Sequence, residues 1–190
     1  MIKLILHGGG NLDRKELEMI ISEIKKDFSN KNRIKILIVP FARVEEDWKS
    51  VFDKYNKRYF DISLKKDFVL ASSDIKKFKD QINSSNVIFF TGGSEILLKK
   101  FMKYINFSLF KNKTIIGISA GANIFSSSYY SNDRGIIEKG LYELPIKTIC
   151  HFDSTKKSCL KKLTSSGNSS KKPTLAINEG SFFVLYFSEK

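Results

Sequence analysis

The chain has 190 residues, 42% of them hydrophobic and 28% charged, enough for one compact domain with a full core and short for two. Apolar content at this level excludes a disordered chain, and the longest apolar run, residues 182–187, falls far short of the roughly 18 residues of a membrane-spanning helix. Lys and Arg total 33 against 20 acidic residues, a net charge of +13, but 28 of the 33 are Lys spread through the predicted helices, the pattern of solvated faces rather than of a nucleic-acid reader.

Residues 2–6 form the first predicted strand; the apolar start is too short, and too interrupted by Lys3, to be a signal peptide. Two cysteines without a secretory signal make no disulfide framework, so the expectation is a soluble, reduced, cytoplasmic protein, monomer or homodimer, with no nucleic-acid or membrane partner. Residues 13–28 read as a helix, with Leu17, Ile20, Ile21 and Ile24 on one face and Asn11 or Asp13 as cap. Residues 34–39 are a second strand, ended by Pro40; 45–57 a helix; 59–64 a third strand. A helix capped by Ser73 or Asp74 runs to Ile82, followed by a strand at 86–90, a helix at 95–104 and a buried strand at 114–118. Continuous apolar strands separated by helices predict a mostly parallel sheet covered on both faces, a three-layer α/β/α sandwich over residues 1–190 as a single domain. Residues 126–134 read as polar and turn-like. Shorter strands follow at 136–138, 147–151, 173–177 and 182–187, and 164–172 is a surface loop by composition.

Gly117-Ile118-Ser119-Ala120-Gly121 fits G-x-S-x-G, directly after an apolar strand and before a predicted helix. A nucleophile on so tight a turn sits in strained backbone, and the residues two before and two after it must be small. A serine hydroxyl needs a base, and the chain has two histidines, His7 and His151. His7 precedes Gly8-Gly9-Gly10 and reads as a tight strand exit; His151 ends the 147–151 strand and is the candidate base. The carboxylate that orients the ring is open among Asp133, Glu138, Glu143, Asp153 and Glu179. Thr91-Gly92-Gly93-Ser94 follows a strand, and the N–H groups of Gly93 and Ala120 would make a two-donor oxyanion hole. Cys150, beside His151, reads as a small buried strand residue.

These residues together resemble the dipeptidase E (peptidase E, α-aspartyl dipeptidase) family of serine peptidases. The resemblance rests on Val39-Pro40-Phe41-Ala42 with Trp48, on residues 89–94, on the elbow through Asn123, on Asn132-Asp133, on His151-Phe152 and on Asn178-Glu179-Gly180. It implies a class I glutamine-amidotransferase-like, flavodoxin-like α/β fold with Ser119 as nucleophile, His151 as base, Asp133 as orienting acid and Gly93 and Ala120 as oxyanion donors. It further implies substrate contacts from Gly92, Ser94, Asn123 and Glu179, a small peptide substrate with N-terminal Asp, and no metal or cofactor. Thr91 and Ser94 depart from the family's oxyanion turn, and its Arg-bearing substrate segment is not recognisable; Lys156, Lys157, Lys161 and Lys162 occupy that region. The related cyanophycinase group, which cleaves other aspartyl-linked compounds, and a non-catalytic binding protein on the same fold are the alternatives.

Overall fold

Apolar residues at alternating and at helical spacing sort the chain into two sheets with helices on their faces. The computed structural model describes residues 1–58, 65–167 and 171–188. Strands β1 (Ile2–His7), β2 (Ile34–Val39), β3 (Lys66–Leu70), β4 (Val87–Phe90), β5 (Thr114–Ile118) and β10 (Phe182–Phe187) form a six-stranded sheet in the order β10-β1-β5-β4-β2-β3. All pairings in it are parallel except β1 with β10. Strands β6 (Ser126–Ser131), β7 (Ile136–Lys139), β8 (Leu144–Phe152) and β9 (Thr174–Asn178) form a second sheet, ordered β7-β6-β8-β9. The fold is α/β, with a mostly parallel main sheet in the middle layer.

Helix α1 (Arg14–Phe28) is closed at its start by a reciprocal capping box between Asp13 and Glu16. Its buried residues Leu17, Ile20, Ile21 and Ile24 meet Ile5, Ile36, Ile116 and Ile118 on one face of the sheet, with Phe52 and Tyr55 of α2 (Trp48–Arg58) packed alongside. On the other face, Leu4, Leu37, Val39, Ile88, Phe90 and Ile115 meet α3 (Ile75–Ser84), α4 (Glu95–Met102) and residues of the second sheet. Both faces of the central strands are therefore largely apolar, which is why β4 reads as an unbroken hydrophobic run and β2 and β5 as nearly so.

The predicted third strand at 59–64 lies outside the described residues; β3 follows it at Lys66–Leu70. Residues 126–131, read as a turn, are a strand. Ser126 and Ser127 are buried there because their hydroxyls donate to the carbonyls of Asn123 (2.7 Å) and Ile146 (2.8 Å). The predicted loop at 164–172 begins too early: α6 (Lys157–Ser165) takes its first two residues. That extension has a cause in the buried Lys147, whose ammonium donates to the carbonyls of Leu163, Thr164 and Ser166, each at 2.9 Å, and closes the helix end.

Candidate active site

A tight turn joins β5 to the short helix α5 (Ala120–Asn123) at Ser119, whose φ of 51° and ψ of −109° fall where non-glycine residues rarely sit. The flanking glycines make it possible. A Cβ on Gly117 would stand 2.4 Å from the Gly121 carbonyl oxygen, and one on Gly121 would stand 2.7 Å from Phe90. Ser119 is held by its own backbone, donating to the His7 carbonyl (3.0 Å) and accepting from the N–H groups of Ala122 (2.8 Å) and Asn123 (2.9 Å).

Ser119 Oγ lies 2.9 Å from His151 Nε2, and His151 Nδ1 lies 2.6 Å from Glu179 Oε1. Hydroxyl, imidazole and carboxylate thus form one hydrogen-bonded line in the order a serine nucleophile requires. Three strand registers assemble it. The β1–β5 pairing sets His7 beside Ile118, the β1–β10 pairing sets it beside Phe182, and the β8–β9 pairing sets Phe152 beside Asn178. The exit of β1 consequently runs between all three side chains. His7 O accepts from Ser119 N, Gly8 O from His151 N (2.8 Å), and Gly9 O from Gly180 N (3.4 Å). Gly9, at φ +104°, lies directly against the imidazole: a Cβ there would be 2.2 Å from His151 Cε1.

The expectation that Asp133 orients the ring is not met. Asp133 is exposed at the turn between β6 and β7 and lines the cavity, and the Nδ1 partner is Glu179, from the turn after β9. Its neighbour Asn132 is used structurally, donating to the Cys150 carbonyl at 2.8 Å. Glu179, expected at the substrate, is thereby moved to the imidazole. Asn123, also expected at the substrate, is buried beneath the elbow. Its amide donates to Glu95 (2.9 Å), and its oxygen accepts from Thr148 (2.9 Å). Ser94 caps α4 through the Leu97 N–H (3.4 Å) while lining the cavity, as Gly92 and Gly93 do. Ala120 is buried as the first residue of α5, whose N–H has no partner inside the helix.

The cavity above Ser119 has a volume of about 570 Å³. Arg43 and Lys54 bring cations to its wall, Asp47 and Asp133 carboxylates, and Asn132 an amide. None of Arg43, Asp47 or Lys54 stood out in the sequence, because they come from a turn and a helix without a motif. Of the lysines after His151, Lys156 is turned to the main chain, donating to the His151 carbonyl and to Asp153. Two other groups are set apart from the chemistry by burial. Cys150 is fully buried, which pushes its thiol pKa up and disfavours the thiolate. His7 is fully buried, and its Nδ1 accepts from the Gly9 N–H at 3.0 Å, which leaves the proton on Nε2. Burial first, and the neighbouring His151 second, lower its pKa from 6.5 to about 4. Among the described residues no group of three or more His, Cys, Asp or Glu could hold a metal ion, and no helix is long and apolar enough to cross a membrane.

No curated protein matches the sequence. Two solved structures are similar in fold. A peptidase from an acI-B1 Actinobacterium superposes with a TM-score of 0.69 at 19% identity, over 96% of this chain and 82% of that one. A candidate peptidase E protein from Listeria monocytogenes EGD-e gives 0.62 at 17% identity, over 99% and 100%. The family model of peptidase family S51 matches residues 4–186, nearly the whole of the chain that carries the elbow, the imidazole and the carboxylate, and the chain therefore belongs to peptidase family S51.

Proposed function

We propose that this member of a peptidase family is a serine dipeptidase, cleaving short peptides with N-terminal Asp through an acyl-enzyme on Ser119. The observation that carries the reading is the continuous line from Ser119 Oγ through the imidazole to Glu179, at 2.9 and 2.6 Å. Ser119 Oγ attacks the scissile carbonyl carbon while His151 Nε2 takes its proton. The oxyanion that forms is met by the N–H groups of Gly93 and Ala120. The C–N bond then breaks as His151 returns the proton to the leaving amine, leaving an ester on Ser119. Water, deprotonated by the same nitrogen, attacks the ester and releases the acid. Glu179 holds the imidazole in the tautomer with Nδ1–H and balances its charge when protonated.

The walls favour a small zwitterion. Lys54 can face a carboxylate, and Asp47 and Asp133 can face an α-amino group. The test is labelling by a fluorophosphonate together with hydrolysis of Asp-X dipeptides. Wild type is labelled and active; Ser119→Ala loses both. Glu179→Gln lowers kcat by a factor of about 10²–10⁴, whereas Asp133→Asn changes kcat by less than about tenfold. Turnover that persists in Ser119→Ala, or a wild type inert to the probe, overturns the proposal. Faster cleavage of β-aspartyl than of α-aspartyl substrates would assign the same chemistry to a different linkage.

A further inference from the structure

The peptide unit joining Gly92 to Gly93 has glycine on both sides, so both of its orientations are open to it: φ of Gly93 is +145°, a value that only glycine adopts freely. In a trans peptide the C=O and the N–H point in opposite directions. Whichever way Gly92 O is held, Gly93 N–H must face the other way. Gly92 O accepts from Arg43 Nε at 3.0 Å. Gly92 itself packs against Ser119, a Cβ there being 3.4 Å from Ser119 Cβ, while a Cβ on Gly93 would be 2.3 Å from Ala42 O and 3.0 Å from Arg43 Nε. We infer that Arg43 is a positioning residue, which locks the Gly92–Gly93 peptide by its carbonyl so that the Gly93 N–H is presented to the oxyanion.

The clamp stands on a rigid base. Arg43 N–H donates to Pro40 O at 2.8 Å, and the Trp48 indole donates to Arg43 O at 3.0 Å. Ser94 N–H donates to Ala42 O at 2.8 Å, tying the two turns a second time, one residue beyond the peptide in question. Beneath them Phe41 packs its ring 4.6 Å from Phe101, 4.8 Å from Trp48 and 5.0 Å from Phe78. A charged donor on the carbonyl also polarises the peptide and strengthens its N–H as a donor at the other end. Arg43 touches no reacting atom; its effect passes through the backbone it holds.

This inference rests on the proposed role of Gly93, and the reaction with a fluorophosphonate separates the two, because that probe fills the oxyanion hole with its phosphoryl oxygen whatever the natural substrate is. The rate constant of inactivation at saturation and the probe's binding constant are measured for wild type, Arg43→Ala, Arg43→Gln and Arg43→Lys. Arg43→Ala is expected to lower the saturating rate about 10- to 100-fold, less than or comparable to the loss of one oxyanion donor, with binding changed by less than about threefold. Arg43→Gln, which keeps a side-chain N–H donor without the charge, recovers part of the rate, and should Arg43→Ala not fold, Arg43→Gln and Arg43→Lys carry the comparison. A saturating rate in Arg43→Ala equal to that of wild type overturns the inference. So does weakened binding at an unchanged rate, which would make Arg43 a ligand for the substrate's own charge. A wild type that is not labelled at all refutes instead the serine chemistry on which both depend.

Discussion

Ser119 and His151 both hold positive φ, 51° and 50°, a conformation that costs a non-glycine residue of the order of 1–3 kcal/mol each. The strain is tolerated because hydrogen bonds from the β1 exit fix both backbones, Ser119 N to His7 O and His151 N to Gly8 O. Gly9 sits at the centre of that arrangement, with no room for a methyl group between it and the imidazole. Gly9→Ala should push the ring from Ser119 and lower kcat/KM about 100-fold. Kinetics on an Asp-X dipeptide, read beside the urea midpoint, check this; an alanine variant with wild-type kcat/KM would show that the ring does not depend on Gly9. At this scale the elbow was legible, since G-x-S-x-G states its own steric reason. Glu179 was one candidate of five, because nothing in a local segment says which carboxylate will reach an imidazole 28 residues away.

Among the elements, polar content misled where hydroxyl groups found carbonyl partners. Ser126 and Ser127 read as a turn and lie buried in β6, for that reason. Lys147 is the extreme case: a fully buried lysine in β8 whose ammonium binds carbonyls at the end of α6, while burial pushes its pKa down. Lys147→Met replaces the ammonium by a chain of similar volume and takes a donor from three carbonyls, of which that of Leu163 keeps the N–H and hydroxyl of Ser166. Urea denaturation should show a loss of about 2–4 kcal/mol, from hydrogen bonds to a charged group that a thioether cannot make. An unchanged midpoint would mean that water serves those carbonyls equally well.

Stability of the whole molecule should depend on pH through His7. Its folded pKa is about 4 against 6.5 for an unperturbed imidazole, because burial disfavours the imidazolium and the charge of His151 adds to this, with Glu179 opposing. Below pH 6.5 the unfolded chain therefore binds a proton that the folded chain refuses until about pH 4. The stability present above pH 6.5 is lost progressively as pH falls toward 4, by up to about 3 kcal/mol. The unfolding free energy of wild type should fall more steeply between about pH 7 and pH 4 than that of His7→Gln; parallel curves would remove His7 as the cause.

What the sequence determined by itself is whatever a short stretch of chain can enforce locally. Mostly apolar runs at 34–39 and 114–118 dictate strands buried on both sides, helical spacing at Leu17, Ile20, Ile21 and Ile24 dictates an amphipathic helix, and the two glycines around Ser119 dictate a strained turn that carries its hydroxyl. Only the tertiary structure decided which acid meets His151, which glycine makes room for its ring, and that Arg43 reaches the carbonyl of Gly92 across 49 residues. Strand register and the packing of turns at one end of the sheet settle those contacts, and neither is written in the spacing of the residues that make them.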